Sequence, residues 1–337
     1  MMLNTYLPVI WAGIISFGII MYVILDGFDL GIGILFPWID DNEQRNIMMN
    51  SVAPVWDGNE TWLVLGGAGL FGAFPLVYSI LLPILYMPIM VMLAALVFRG
   101  VAFEFRFKAH KSRFLWDVAF TVGSTIAAFC QGLILGTYVH GYTSNPSYYA
   151  LDYYYVWFSP FSIMTGIAVI VGYALLGATW LIMKTEGELQ KEMFHVAKIL
   201  LIGISFFIFL VSIWTPFIDP TLVQRWFSLP NFFFLLPLPL LTICAVLYAA
   251  YALKHNYERT PFLMCVILFI FSYIGLGISV WPYMIPRSTT IWQGAANPST
   301  QLFLLVGTLI LLPILLSYSI YAYRVFRGKV ISSHGYH

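Results

Sequence analysis

Residues 8–36 read PVIWAGIISFGIIMYVILDGFDLGIGILF, with no charge before Asp26. As a helix this stretch rises about 40 Å at 1.5 Å per residue, enough to cross the roughly 30 Å hydrocarbon core of a bilayer. Its apolar residues do not alternate, and they surround the helix rather than lining one stripe, which is the pattern of a membrane-crossing segment. No Lys or Arg precedes Arg45, and the run is too long for the apolar part of a cleaved leader. It therefore reads as a retained first helix.

Composition extends this reading to the whole chain. Of 337 residues, 61% are hydrophobic and only 9% are charged, whereas a soluble domain carries roughly a quarter charged residues. So few charges cannot cover a water-facing surface, which excludes soluble globular, disordered and fibrous classes. Sixteen basic residues against 15 acidic ones leave no electrostatic footprint for nucleic acid. Cys130, Cys244 and Cys265 lie in apolar runs without a C-x-x-C, so they read as small hydrophobes rather than a disulfide or zinc framework.

The same criterion gives about nine spans: 8–36, 53–74, 76–98, 114–139, 158–183, 195–216, 231–253, 261–282 and 301–324. The expected fold is an all-α polytopic membrane protein, since the runs are too long for barrel strands and do not alternate. Residues 1–337 form a single integral-membrane domain, with halves 1–139 and 158–282 and a last helix at 301–324. With the N-terminus outside, 14 of the 16 basic residues fall in inside connections and only Arg225 and Arg287 fall outside. This meets the positive-inside rule and puts the C-terminus in the cytoplasm. The outside loop 140–158 has no basic residue but holds Tyr142, Tyr148, Tyr149, Tyr153, Tyr154, Tyr155 and Trp157, which suits an interfacial aromatic belt.

Ionisable residues inside a membrane are costly and should face protein or water. Asp26 and Asp29 are three apart, hence on one face of the first span, and Asp57 and Glu60 repeat that spacing in the second. Arg99 ends the third span and Glu104 follows it. By the topology above, all six lie toward the cytoplasmic side, where they can converge at one depth. Acids outnumber the base, so the cluster can exchange protons taken up from the cytoplasm. A purely structural reading weighs equally: buried pairs, Arg99 with Asp29 first among them, would hold the first three helices in register.

Two patterns mislead. Gly67-Ala-Gly-Leu-Phe-Gly72 matches a dinucleotide-binding fingerprint but sits in an apolar run without a βαβ unit, so it reads as close helix packing, as do Gly27/Gly31 and Gly132/Gly136. His110, His140, His195, His255, His334 and His337 all fall at span ends, in loops or in the tail, so none is an obvious ligand for a buried haem.

Asp26-Gly-Phe-Asp-Leu-Gly-Ile-Gly33, Trp56-Asp-Gly-Asn-Glu-Thr-Trp62 and Phe98-Arg-Gly-Val-Ala-Phe-Glu-Phe-Arg106 resemble, in order and spacing, subunit II of the cytochrome bd-type quinol oxidases, which include the cyanide-insensitive ones. Gly177-Ala-Thr-Trp-Leu-Ile-Met-Lys-Thr-Glu-Gly-Glu188 and Pro282-Tyr-Met-Ile-Pro-Arg-Ser-Thr289 extend the resemblance over nearly the whole chain. It implies two four-helix bundles plus one peripheral helix, in a prokaryotic cytoplasmic (inner) membrane. It implies a haem-bearing subunit I with two b-type haems and one haem d, or a further haem b in its place. No haem is then ligated by this chain. The complex would oxidise quinol and reduce dioxygen to water without pumping protons, the protons of oxygen reduction coming from inside. Some members hold a structural quinone in this subunit or carry a small single-helix accessory subunit.

Carried over by position, the resemblance makes Asp57 a proton-path aspartate, and makes Asp29 and Arg99 supports of the haem site. Glu104 matches an acidic position, and Trp56 matches an aromatic of the same motif. Glu60 stands where some members have Gln, and Gly100 where some have Pro. Asp57, Glu104, Asp26 and Glu60 are thus the proton-transfer candidates, and Asp29, Arg99 and Trp56 the structural ones. The competing classes are a secondary transporter, which also uses membrane acids and glycine-interrupted helices, and a scaffold with no proton role.

Overall fold

In the computed structural model the described residues are 2–109, 111–141 and 156–330, with side chains from Thr5 onward. The tyrosines expected in the aromatic belt (Tyr142, Tyr148, Tyr149, Tyr153, Tyr154 and Tyr155), together with His110, His334 and His337, lie outside the described residues. Trp157 is described, with its ring against Phe158 at 4.1 Å.

The described residues are all-α apart from one short hairpin. In order it forms α1 (Met2–Leu35), α2 (Asn42–Asn50), α3 (Trp56–Ala73), α4 (Pro75–Ile84), α5 (Tyr86–Phe105), α6 (Arg113–His140), α7 (Pro160–Lys184) and α8 (Gly187–Ile218). Then follow α9 (Pro220–Phe227), α10 (Asn231–Leu235), α11 (Pro237–Lys254), α12 (Thr260–Val280), β1 (Tyr283–Ile285), β2 (Thr289–Thr290), α13 (Ile291–Gly294) and α14 (Pro298–Val325). Among the described residues, eight helices are long and apolar enough to cross a membrane, α10 and α11 counting as one.

The expected second span is present as α3 but is not among those eight. Its opening Trp56-Asp-Gly-Asn-Glu is too polar. The expected third span is divided at Leu85 into α4 and α5. Pro83 and Pro88 each remove a backbone N–H from the ladder there, while Leu85 N–H still reaches the carbonyl of Leu81 at 2.9 Å.

Packing falls into two groups with one outer helix. α1 packs on α3 and α6, and α5 packs on α6; α7 packs on α8 and α12, and α11 on α8 and α12. α14 lies against α1 and α3. α1 and α7 join the groups where two backbones touch. A methyl group added at Gly31 would come within 1.8 Å of the Tyr173 carbonyl oxygen, and one at Gly177 within 2.5 Å of the Gly31 carbonyl carbon. Gly132 and Gly136 of α6 meet α7 in the same way. In the 67–72 motif, Gly69 packs on Ile15 and Gly72 on Leu304, while Gly67 meets nothing within 4 Å. Close packing therefore accounts for two of its three glycines.

Outward faces are apolar, as lipid contact requires; Ile202 of α8 is 73% exposed and Phe303 of α14 is 80%. At one end, β1 and β2 pair antiparallel, and α13 starts with a capping box between Thr290 and Gln293. Gln301 there donates to the Ala73 carbonyl at 3.0 Å and accepts at its own carbonyl from the Trp11 indole at 3.0 Å. At the other end, Lys184 donates to the carbonyls of Phe326 and Gly328. Lys329 pairs with Glu258 at 2.8 Å and Glu186 at 3.4 Å. These contacts strap the segment after α14 across α7 and the α11–α12 loop.

Candidate functional site

The site lies where α1, α3 and α5 meet, in the half of the molecule toward the strapped end. Asp26 and Asp29 project from one face of α1, Glu60 from the first turns of α3, and Arg99 from the last turns of α5. Arg99, Asp26 and Asp29 are fully buried. The Arg99 guanidinium donates through Nη1 to Asp26 at 2.7 Å and through Nη2 to Glu60. Glu60 keeps 29% of its side chain exposed and so opens the cluster to the surface of α3.

The expected pairing of Arg99 with Asp29 is therefore corrected. Arg99 bridges Asp26 and Glu60, and Asp29 is held by an amide instead. Asn59 Nδ2 donates to Asp29 Oδ2 at 2.7 Å and to the Leu25 carbonyl at 3.2 Å. Asn59 Oδ1 in turn accepts from the Tyr323 hydroxyl of α14 at 2.8 Å. Spacing of three put both acids on one face of α1, but one turn of helix separates the one that faces α5 from the one that faces α3. A cavity of about 10 Å³ adjoins Asn59, Tyr323 and Ser319, the size of a single water. Asp29 Oδ1 and Arg99 Nε, both buried, have no hydrogen-bond partner among the described residues; groups of this kind are the usual seats of ordered water.

Trp56 covers the cluster. Its ring stacks on Phe103 with centroids 4.9 Å apart, and the Arg99 guanidinium carbon lies 5.9 Å from it. This is the geometry of a cation–π contact, and it gives Trp56 a place that its motif alone did not. Gly100 lies under the ring, and a Cβ there would meet the indole at 3.4 Å, an ordinary van der Waals contact.

Not all six ionisable residues converge. Asp57 is exposed on the surface of α3, close enough to act electrostatically on Glu60. Glu104 points away from the cluster, with 67% of its side chain exposed, and among the described residues pairs with Lys108 at 3.9 Å. The structure thus brings together Asp26, Asp29, Glu60 and Arg99, sets Asp57 at their rim and leaves Glu104 outside.

Sequence reasoning missed several participants. Asn59 and Tyr323 carry no charge, and 264 residues separate them. One turn before Asp26 on α1, Tyr22 lies within electrostatic reach of Asp26 and Arg99; Gln131 donates to its hydroxyl at 2.9 Å and accepts from Tyr173 at 2.6 Å. A second buried network joins α2, α5 and α6. Asp117 accepts from Arg106 and from Arg45, the latter at 3.1 Å, and Asn46 accepts from Arg106 at 2.7 Å and from Arg113. The signal for it was a lone acid, Asp117, opening the fourth expected span among basic neighbours.

Histidine positions bear on haem. His140 Nδ1 faces the Gly141 carbonyl at 3.3 Å, His255 Nδ1 faces the Tyr251 carbonyl at 2.9 Å, and His195 lines an open surface cleft. Among the described residues, no group of three or more His, Cys, Asp or Glu side chains is arranged to hold a metal ion. His140, His195 and His255 are all exposed, at or near helix ends, which does not suit a ligand of a buried haem.

Comparison with known proteins gives a consistent answer. Residues 7–326 match the family described as cytochrome bd terminal oxidase subunit II. The chain is 28% identical to cytochrome bd-I ubiquinol oxidase subunit 2 of Escherichia coli (strain K12), over 95% of this chain and 94% of that protein. It is 26% identical to cytochrome bd ubiquinol oxidase subunit 2 of Bacillus subtilis (strain 168), over 95% and 96%. Its fold is similar to that of a chain in the bd oxidase of Geobacillus thermodenitrificans, with TM-score 0.78, 19% identity, and coverage of 95% of this chain and 98% of that one.

Proposed function

Since the chain belongs to the cytochrome bd terminal oxidase subunit II family, we propose that it is the non-haem subunit of a quinol:dioxygen oxidoreductase and supplies part of the proton path for reducing dioxygen to water. The haems, b-type and d-type or a second b-type in its place, are held by the partner subunit I. Quinol and dioxygen are substrates of the complex, and no proton is pumped. The membrane is the bacterial inner membrane, with the N-terminus outside and the C-terminus in the cytoplasm, as the distribution of basic residues supports. A small single-helix accessory subunit and a structural quinone accord with the family, and no residue here is assigned to either. The secondary-transporter reading gives way to the family assignment.

The observation that carries the proton role is a buried Arg99 shared by Asp26 and Glu60, with Glu60 opening onto the face that carries Asp57. Three buried or half-buried carboxyl groups against one guanidinium form a cluster that can take up and release protons. Asp57, exposed to cytoplasmic water at the start of α3, collects the proton. Glu60 carries it to the Asp26–Arg99 pair, and Asn59 links that pair's neighbour Asp29 to Tyr323. Glu104 contributes only to the field at the cytoplasmic mouth. Asp29, Arg99 and Trp56 hold α1, α3 and α5 in register, so that the partner's haem pocket is met by a fixed surface. An acid on an otherwise apolar helix face is costly against lipid, so the α3–α5 face bearing Glu60 is the face on which subunit I docks, with Asp57 left at its cytoplasmic rim.

Asp57→Asn tests this. The variant should assemble with its full haem content, yet consume oxygen more slowly with quinol, because general acid–base groups contribute about 10²–10⁴-fold and a surface collector is partly bypassed by water. Normal turnover would take Asp57 out of the path. Loss of haem would make it a structural residue.

A further inference from the structure

An open cleft of about 430 Å³ that shares no lining residue with the acid cluster lies where α8 begins and α11 gives way to α12. Its wall is one face of α8. Lys191, His195 and Lys198 stand four and three residues apart, hence in line along the helix, and all three are exposed. The buried ring of Phe194 backs them.

The opposite wall is set by the end of α11. Asn256 adopts φ +56°, and Tyr257 N–H reaches the Ala252 carbonyl at 3.0 Å. This left-handed helix stop turns Asn256 toward the cleft. The one acid in the lining, Glu258, is already engaged by Lys329 at 2.8 Å and Gln190 at 3.1 Å, which blunts its repulsion of an anion. Lys191 also touches Glu188 at 3.0 Å, an exposed pair of the kind that contributes little and yields readily to a stronger anion.

Directly along α8 from Lys198 runs a bare apolar stripe: Ile199 is 59% exposed, Ile202 73% and Phe206 58%. The positions 199, 202 and 206 keep helical spacing, so the stripe continues the face of the basic residues into the hydrocarbon region. Basic above and apolar below, at the charged end of a membrane helix, is the profile of a phospholipid.

We propose that this cleft seats the headgroup phosphate of an anionic phospholipid between Lys191, His195 and Lys198, with its acyl chains lying along Ile199, Ile202 and Phe206. The phosphate oxygens accept from both ammonium groups and from an imidazole N–H, and the Asn256 side chain closes the headgroup from the loop side. The stripe distinguishes the lipid from a free phosphate, which has no use for it. The site is independent of the proton path and stands whether or not that path is right.

The test uses the whole complex purified in mild detergent. Binding of fluorescent phosphatidylglycerol is titrated, and retained phospholipid is counted by native mass spectrometry, for wild type and for Lys191→Gln/His195→Gln/Lys198→Gln. At roughly one lysine's worth of surface attraction per charge removed, the triple variant should bind about 30-fold more weakly and lose retained lipid. Lys108→Gln/Lys111→Gln, which removes equal charge from the α5–α6 loop, should leave binding unchanged. Equal binding by the triple variant overturns the proposal. So does an equal loss in the loop variant, which would mean diffuse surface charge only. Displacement by inorganic phosphate at matched concentration also overturns it, in favour of a free-anion site. An unchanged elution profile and thermal unfolding curve show that the variants compared are folded.

Discussion

Arg99 is paired with two carboxylates from two different helices, so its removal strands both. Arg99→Ala should destabilise the subunit by about 3–5 kcal/mol, the usual cost of leaving a buried charge unpaired. The checks are thermal unfolding and the haem content of the complex, which should fall because α3 and α5 lose their register. Arg99→Lys should sit nearer to the alanine variant than to wild type. A guanidinium offers a planar fork to two acceptors, whereas an ammonium is a single point charge. A full haem complement in both variants would detach Arg99 from the integrity of the complex. Much of this was legible in the sequence, because the three-residue spacings placed Asp26, Asp29, Asp57 and Glu60 on faces and the topology placed them at one depth. The choice of partner was not legible, because Asp26 and Asp29 differ only in which neighbouring helix they meet. Asn59, which fixes Asp29, gave no signal at all, since an amide beside two acids reads as one more polar residue.

Among the elements, α1 and α7 touch backbone to backbone at Gly31 and Gly177, and the cost of disturbing that contact is predictable. Gly177→Ala places a methyl group 2.5 Å from the Gly31 carbonyl carbon and should destabilise by about 1–3 kcal/mol through forced separation of the helices. Gly277→Ala on α12 meets nothing within 4 Å. It should be neutral or stabilising by about 0.5–1 kcal/mol through the propensity of alanine. Thermal unfolding in detergent separates the two.

The strap after α14 has a pH window. Hydrogen bonds from Lys329 and Gln190 hold the Glu258 carboxyl below its ordinary 4.5, and the Glu258 carboxylate raises Lys329 above 10.5. The acid's contribution is full above pH 4.5 and fades as pH falls through its lowered value. The lysine's is full below 10.5 and fades as pH rises through its raised one. Amide exchange in 326–330 should therefore be flat from neutral pH down to 4.5 after correction for intrinsic rates, and should rise as pH falls further. A midpoint near neutrality would show that another group holds the strap. Helix positions were legible from hydropathy, and the break at Leu85 was signalled by Pro83 and Pro88. The β1–β2 hairpin was not, because five residues in two strands fall below any period that can be counted.

For the molecule as a whole, the two helix groups and the outer α14 leave one helix whose sequence does not justify its place. α3 opens with Asp57, Asn59 and Glu60, and it is not among the helices apolar enough to span alone. In the folded protein this polarity is met by Arg99 of α5, Tyr323 of α14 and the acids of α1. During synthesis α1 is already present when α3 leaves the ribosome, but its acids can only repel Glu60, and α5 and α14 do not yet exist. On insertion scales a central carboxylate opposes partitioning by about 2.5–3.5 kcal/mol, and less near a helix end. A nascent chain ending at Ile84 should therefore fail to integrate α3 in a glycosylation-mapping assay, while one ending at His140 should integrate it. Integration in both would show that α3 inserts on its own hydrophobicity. The buried cluster thus carries a consequence for biogenesis as well as for protons. The translocon has to retain α3, or readmit it, until a guanidinium made some forty residues later arrives to neutralise it.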